Sequence, residues 1–211
     1  ELNSKYGHYA FKHWYYSGLI NFQTQMAPGF NYPNDSTVIS KFLAPAYLVA
    51  SIGMDYKPCK YFSLFLGPVT GRVVIVNDQT LANAGSYGVT PAVYDETTGA
   101  LITPGKLTED EFGGYLRAVF KKDIFKNINL QSDLELFSNY LKNPQNIVVN
   151  WTNLLSLKVN KFISANVSTD LIYDNTIDIP QYNSAGLETS AGPRLQFKDV
   201  LGIGFSYKFK N

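Results

Sequence analysis

The chain has 211 residues and a formal net charge of +1. That balance excludes a nucleic-acid reader, which needs a basic stripe. Charged residues are 17% of the chain and aromatic residues 15%, a charge content well under the roughly 25% of soluble domains. No apolar run reaches the roughly 18 residues of a membrane-crossing helix, so a β-barrel, which hides its apolar content in alternation, is the membrane-compatible architecture.

In chain order the alternation and turn signals predict nine strands, at about 2–10, 13–26, 42–56, 60–76, 112–122, 125–140, 148–160, 162–174 and 195–209. In 60–76, Pro68 and Gly71 interrupt the pattern and the phase slips towards Arg72, which predicts a bulge. In 128–140, Ile128, Leu130, Leu134, Leu136 and Tyr140 oppose Asn129, Gln131, Asp133, Glu135 and Asn139. In 148–160, Val149, Trp151, Leu155, Leu157 and Val159 oppose Asn150, Thr152, Ser156, Lys158 and Asn160. The last strand sets Leu195, Phe197, Leu201, Ile203 and Phe205 against Gln196, Lys198, Gly202, Gly204 and Ser206. The competing architecture is a soluble sandwich or a lipocalin-like barrel. Strand length decides against it, because these runs meet the roughly 9–11 residues of a tilted bilayer-crossing strand and exceed the usual 5–6 of soluble strands (roughly).

The connections give a second test. From the N-terminus they run tight (11–12), long (27–41), tight (57–59), very long (77–111), tight (123–124), medium (141–147), tight (160–161) and long (175–194). That parity is the pattern of an outer-membrane barrel, with short turns on the periplasmic side and long loops outside. Aromatic residues at strand ends give a third. Trp14, Tyr16, Tyr56, Phe62, Phe120, Tyr207 and Phe209 lie near short turns or the C-terminus, and Tyr140, Trp151 and Tyr173 near long loops, as two interface girdles require.

With the polar face assigned to the lumen, Asp55, Arg117, Lys121, Asp133, Glu135, Lys158, Asp170 and Lys198 point inward, beside Tyr47, Tyr115, Phe137 and Phe162. The eight charges are balanced in sign, whereas a selective pore shows a ring of one sign, so a narrow lumen crosslinked by ion pairs is expected. His8 and His13 sit near the first short turn and are the slim material for a barrel-embedded hydrolase. Asp170, Asp174 and Asp178 lack the glycine and closing glutamate of a calcium loop. The chain is expected to be non-enzymatic and to need no cofactor. Cys59 is its single cysteine, which rules out an internal disulfide.

Several segments resemble an uncharacterised outer-membrane β-barrel family of Bacteroidota, a domain of unknown function. They are Glu1–Gly7, Trp14–Ser17, Leu43–Tyr47, Gly53–Pro58, Gly67–Gly71, Asn143–Ile147, Leu171–Asp174 and Gly192–Phe197. The resemblance implies a barrel of about twelve strands, an even number as bacterial barrels have, some three of them preceding Glu1. Residues 1–211 would then be the C-terminal larger part of one transmembrane barrel domain. The end of the chain, with Gly204, Tyr207 and Phe209, is similar to the terminal signal that directs barrels to insertion. Gly202 and the trailing Lys210-Asn211 depart from that signal. The expected partners are outer-membrane lipid, the barrel-assembly machinery and other outer-membrane proteins. The expected function is that of a structural or accessory subunit of an outer-membrane assembly; transport of small or lipidic solutes is the alternative.

Overall fold

The computed structural model describes residues 1–30, 38–160, 162–182 and 188–205. Nine strands form one sheet: β1 (Leu2–Phe11), β2 (Trp14–Thr24), β3 (Ala46–Cys59), β4 (Phe62–Ile75), β5 (Thr108–Phe125), β6 (Ile128–Asn139), β7 (Ile147–Lys158), β8 (Ile163–Tyr173) and β9 (Gln196–Phe205). Each pairs antiparallel with its neighbours in sequence, so the sheet is a meander. β1 and β9 are its two edges and do not pair, so the sheet is not closed. No helix among the described residues is long and apolar enough to cross a membrane.

The alternation seen in the sequence sorts the two faces. Tyr16, Ile20, Ile52, Val69, Phe112, Trp151, Phe197, Leu201, Ile203 and Phe205 are exposed on the outer face, Leu201 at 70% and Ile203 at 78%. A surface this rich in exposed apolar side chains is rare on a protein in water, and its make-up is that of the lipid-facing side of a membrane-spanning sheet. The inner face buries a cluster of Leu19, Phe65, Tyr115 and Phe137.

All nine expected strands are present, with shifted ends. The third spans Ala46–Cys59, not 42–56, and turns at Lys60-Tyr61. The fifth begins at Thr108 and runs 18 residues, so the long connection before it ends at Leu107 and the turn after it is Lys126-Asn127. Glu109 and Glu111 are therefore wall residues. The reason is register: Ile75 pairs with Thr108 and Arg72 with Glu111, so β5 stays in the ladder for the full length of β4. The long and short connections do alternate, which puts all long loops at one end of the sheet and all tight turns at the other.

The expected bulge lies at Pro68-Val69. Ladder register shifts between Gly67 and Thr70 on β4, and between Ile52 and Met54 on β3. Proline cannot donate to a ladder and is tolerated where the ladder is already interrupted. Thr70 Oγ1 donates to Gly67 O at 2.9 Å, so the hydroxyl supplies the bond the bulge has lost. Ser51 Oγ lies 2.6 Å from the same hydroxyl. Before the bulge the inward residues of β4 are odd-numbered, Phe65 and Gly67; after it they are even-numbered, Thr70, Arg72 and Val74.

Candidate functional site

The connection between β4 and β5 folds into a cap at the loop end. Its short helix α1 (Gln79–Asn83) starts at Asp78, whose carboxylate accepts from Leu81 N at 2.9 Å. Ala82 and Val89 pack on Val74, Val76 and Ala44, so the cap has its own small core seated on the sheet. Gly105 returns the chain against α1: a Cβ there would lie 2.2 Å from Ala82 O, so only glycine allows the approach. Lys41 of the first long loop pairs with Asp78, and Tyr87 Oη donates to Ile39 O at 2.5 Å. Gly88 abuts Thr176 of the last long loop. The cap thus joins three of the four long connections.

Below it, Arg72 is the principal buried cation. Its Nε lies 3.1 Å from Glu111 Oε2 and its Nη2 lies 3.3 Å from Asp174 Oδ2. Glu111 is on the neighbouring strand, but Asp174 follows β8, four strands away, so this pair spans the interior. The guanidinium fork can hold two carboxylates at once, which a lysine ammonium does less well. Its carbon lies 5.2 Å from the Phe137 ring centroid and 5.6 Å from that of Tyr47. Asp174 also accepts from Thr176 N and Oγ1, at 2.9 and 2.6 Å, which fixes the turn that follows β8.

A second guanidinium lies nearer the middle of the wall. Arg117 Nε is 3.0 Å from Asp133 Oδ1 and 3.3 Å from Glu135 Oε1. At the same register level Asp55, fully buried, meets Lys5 at 3.0 Å and Lys57 at 2.9 Å. The two ammonium groups lie over the Phe65 and Tyr15 rings.

Between the Arg72 and Arg117 groups is a cavity of about 160 Å³. Its walls combine Tyr47, Val49, Tyr115, Phe137, Val148 and Ile172 with Asn21, Gln23, Asn150 and the charged Arg72, Glu135 and Asp174. A larger space of about 510 Å³ lies towards Asp133, Asp170 and Lys198. The two share Gln23, Glu135, Asn150 and Ile172 and adjoin on the inner face. Largely apolar walls with a few fixed polar groups are the usual make-up of a small-molecule site.

The inward charges named from sequence have different surroundings. Asp55, Arg117, Asp133 and Glu135 are in the ion pairs above. Asp170 and Lys198 face each other in register across β8 and β9. Lys121 and Lys158 are exposed and make no ion pair among the described residues. Phase reading missed Arg72, Glu111, Asp174 and Lys5. The phase slip at Pro68 was the signal for Arg72, since it alone turns that residue inward.

Among the strand-end aromatics, Trp14 and Tyr56 stack at 4.8 Å and Tyr16 is exposed. Phe62 opposes Phe120, Tyr140 packs on Phe112 at 6.0 Å, and Trp151 Nε1 donates to Ser132 Oγ at 2.9 Å. Tyr173 Oη donates to Asn175 Oδ1 at 3.4 Å. Phe162 stacks on Phe205 at 6.0 Å near the turn end, where it lines a further space together with Asn129, Ser156 and Ser164. Gly204 pairs with Ser164, while Tyr207 and Phe209 lie outside the described residues. His8 opposes Tyr16, and His13 lies in the first turn with its ring 6.4 Å from that of Tyr56.

Residues 1–30 match the model of a family described as "Protein of unknown function (DUF3078)". The match includes the Glu1–Gly7 and Trp14–Ser17 segments. No curated protein matches the chain. Among solved structures it is similar to the toluene transporter TbuX of Ralstonia pickettii, with 11% identity and a TM-score of 0.37. That likeness covers 99% of this chain and 65% of the transporter's length, just under two thirds.

Proposed function

We propose that the chain is the greater part of a non-enzymatic outer-membrane barrel that admits small organic solutes through a capped interior. The pair of adjoining cavities under the cap carries this reading. An apolar outer wall suits lipid, and the amphipathic inner space suits a solute too small and too apolar to need a wide aqueous channel. The cross-interior pair of Arg72 and Asp174 closes the interior to a continuous column of water. The wider resemblance to a barrel family of Bacteroidota belongs to the same proposal.

The test is reconstitution of the full-length protein that contains this chain in liposomes and in planar bilayers. Uptake of small organic solutes without large, stable conductance steps is the expected result. Large ion-selective steps would make it an open pore, and neither uptake nor conductance would remove the solute role.

A second reading, an accessory subunit of an outer-membrane assembly, is favoured by one observation. The cap ends in a two-stranded hairpin (Val93–Tyr94 with Leu101–Thr103) that exposes Val93, Tyr94, Leu101 and Ile102. Gentle purification of the native protein separates this reading from the first, since a stoichiometric companion lost on Ile102→Asp supports it.

A further inference from the structure

The lysines of the tight-turn end divide by the phase of their strands. Lys121 and Lys158 share the inner phase with Arg117 and Asn150 and do not meet the outer wall. Lys5 and Lys57 are engaged by Asp55. Lys12, Lys60 and Lys126 are exposed in the turns themselves, and Lys122 is exposed at the end of β5. Lys122 pairs with Leu130 and follows Phe120 by two residues, so its side chain leaves the sheet on the outer face. None of Lys12, Lys60, Lys122 and Lys126 makes an ion pair among the described residues, and no described carboxylate shares the turns or the outer-phase positions beside them. Asp123 is inner in phase and accepts from Asn129 Nδ2 at 2.8 Å. Asp110 and Asp199, which do share the outer phase, lie on the loop side of their strands.

At the same end the apolar outer wall finishes in rings. Phe11, Trp14 and Tyr56 form one run of contacts, and Tyr61 meets Phe120 edge to face at 5.9 Å. Rings so placed mark the border between hydrocarbon and headgroups. The Lys122 ammonium lies 4.5 Å from the centroid of the Tyr61 ring, which holds it at that border. An exposed lysine on the outer face, just past the last rings, carries its charge along an apolar stem to the headgroups. The groups it meets there are phosphates.

We infer that this rim binds anionic phospholipids, through their phosphates and in preference to zwitterionic ones, in the leaflet that surrounds the tight turns. A rim of unpaired ammonium groups with no outer carboxylate complements a negative headgroup and leaves a zwitterion's own cation unmatched. The outward direction of Lys122 favours lipid over an acidic soluble partner, which would meet only the turn tips. The inference rests on the membrane reading of the outer wall and is independent of the solute role.

The experiment reconstitutes the full-length protein that contains this chain in phosphatidylcholine vesicles with a trace of spin-labelled phosphatidylglycerol or spin-labelled phosphatidylcholine. Electron paramagnetic resonance separates lipid immobilised at the protein from free lipid. Phosphatidylglycerol should be held about threefold more than phosphatidylcholine, and about 1 M salt should bring the two close to equal. Lys60→Gln combined with Lys122→Gln should about halve the preference. Lys106→Gln combined with Arg194→Gln removes the same charge at the loop end and should leave it unchanged. If the first double variant does not fold, the comparison of the two lipids with and without salt on the unaltered protein decides. Equal retention of the two lipids overturns the inference and leaves these lysines to an acidic protein partner. A preference that survives salt, or an equal loss in both double variants, overturns it as well. Absence of any immobilised lipid overturns the membrane reading itself.

Discussion

The two halves of the sheet follow the same alternation and reach different interiors. β2 to β5 bury Ser17, Leu19, Asn21, Ser51, Asp55, Phe65, Thr70, Arg72, Val74 and Tyr115. β7 to β9 direct Thr152, Ser156, Asn166, Ser168 and Gly202 to the same interior, and none of these is buried. The first half carries the bulge, the cap and the buried cations. The second has smaller and more polar residues between Val148 and Ile172 at one end and the turns at the other, and leaves more open space. Alternation decides which residues point inward, and their volume decides whether the interior is packed or open.

Removing the central cation of the packed half should have the largest effect. Arg72→Met leaves Glu111 and Asp174 without their shared partner, and loss of one member of a buried ion pair costs about 3–5 kcal/mol. Lys198→Met, in the open half, should change stability by no more than about 0.5 kcal/mol. Urea unfolding in liposomes, followed by the fluorescence of Trp14 and Trp151, measures both. Equal losses would erase the distinction between the halves.

The next effect tests the two faces within the open half. Leu201→Arg places a charge against lipid, at about 2–4 kcal/mol near the midplane. Ser168→Arg, on the neighbouring strand and directed inward, enters the open interior and should fold normally. Gel mobility before and after heating reports the folded fraction, and the reverse ranking would exchange the faces of β8 and β9. Smaller again is the contrast between two glycines. A Cβ at Gly53 would lie 1.9 Å from Leu66 O, so Gly53→Ala must push the β3–β4 ladder apart, at about 1–3 kcal/mol for an overpacked site. At Gly202 the nearest atom is 4.0 Å away, and alanine should be accepted there.

These contrasts also show how much of the molecule the sequence disclosed. Strand number, loop parity and the two faces were legible because each repeats over ten or more residues. The charge groups were legible only in part. Arg117, Asp133 and Glu135 lie on uninterrupted alternation, whereas Arg72 lies past a bulge whose inward phase no local pattern supplies. Glu111 falls in the long connection 77–111, one residue short of the predicted strand, and only the β4 ladder brings it into the wall. Asp174 acquires its role only from a partner 102 residues away, a relation created by the curl of the sheet. The cap has no long period at all. Its position depends on single contacts, such as Gly105 against α1 and Lys41 beside Asp78.

That last contact gives the smallest and most local prediction. Asp78 is the N-cap of α1, and the Lys41 ammonium, with the Leu81 amide, holds its carboxyl below the ordinary carboxylate range. Asp78→Ala removes an N-cap, worth about 1 kcal/mol, and should loosen the cap while the ladder strands keep their protection. Asp78→Asn retains a capping oxygen and loses only the charge, so it should fall between alanine and the native residue. The folded pKa of Asp78 is depressed, so its contribution is complete above the unfolded value and is lost as pH falls through the folded value. Acidification should therefore speed amide exchange in 78–92 before it affects β7 to β9. In Asp78→Asn that early step should vanish, because nothing remains there to protonate. Hydrogen exchange by mass spectrometry, carried from neutral pH down to below the ordinary carboxylate range, reads both results. An unchanged acid step in Asp78→Asn would move its origin to another carboxylate of the packed half, Glu109 beside Lys142 being the nearest in kind.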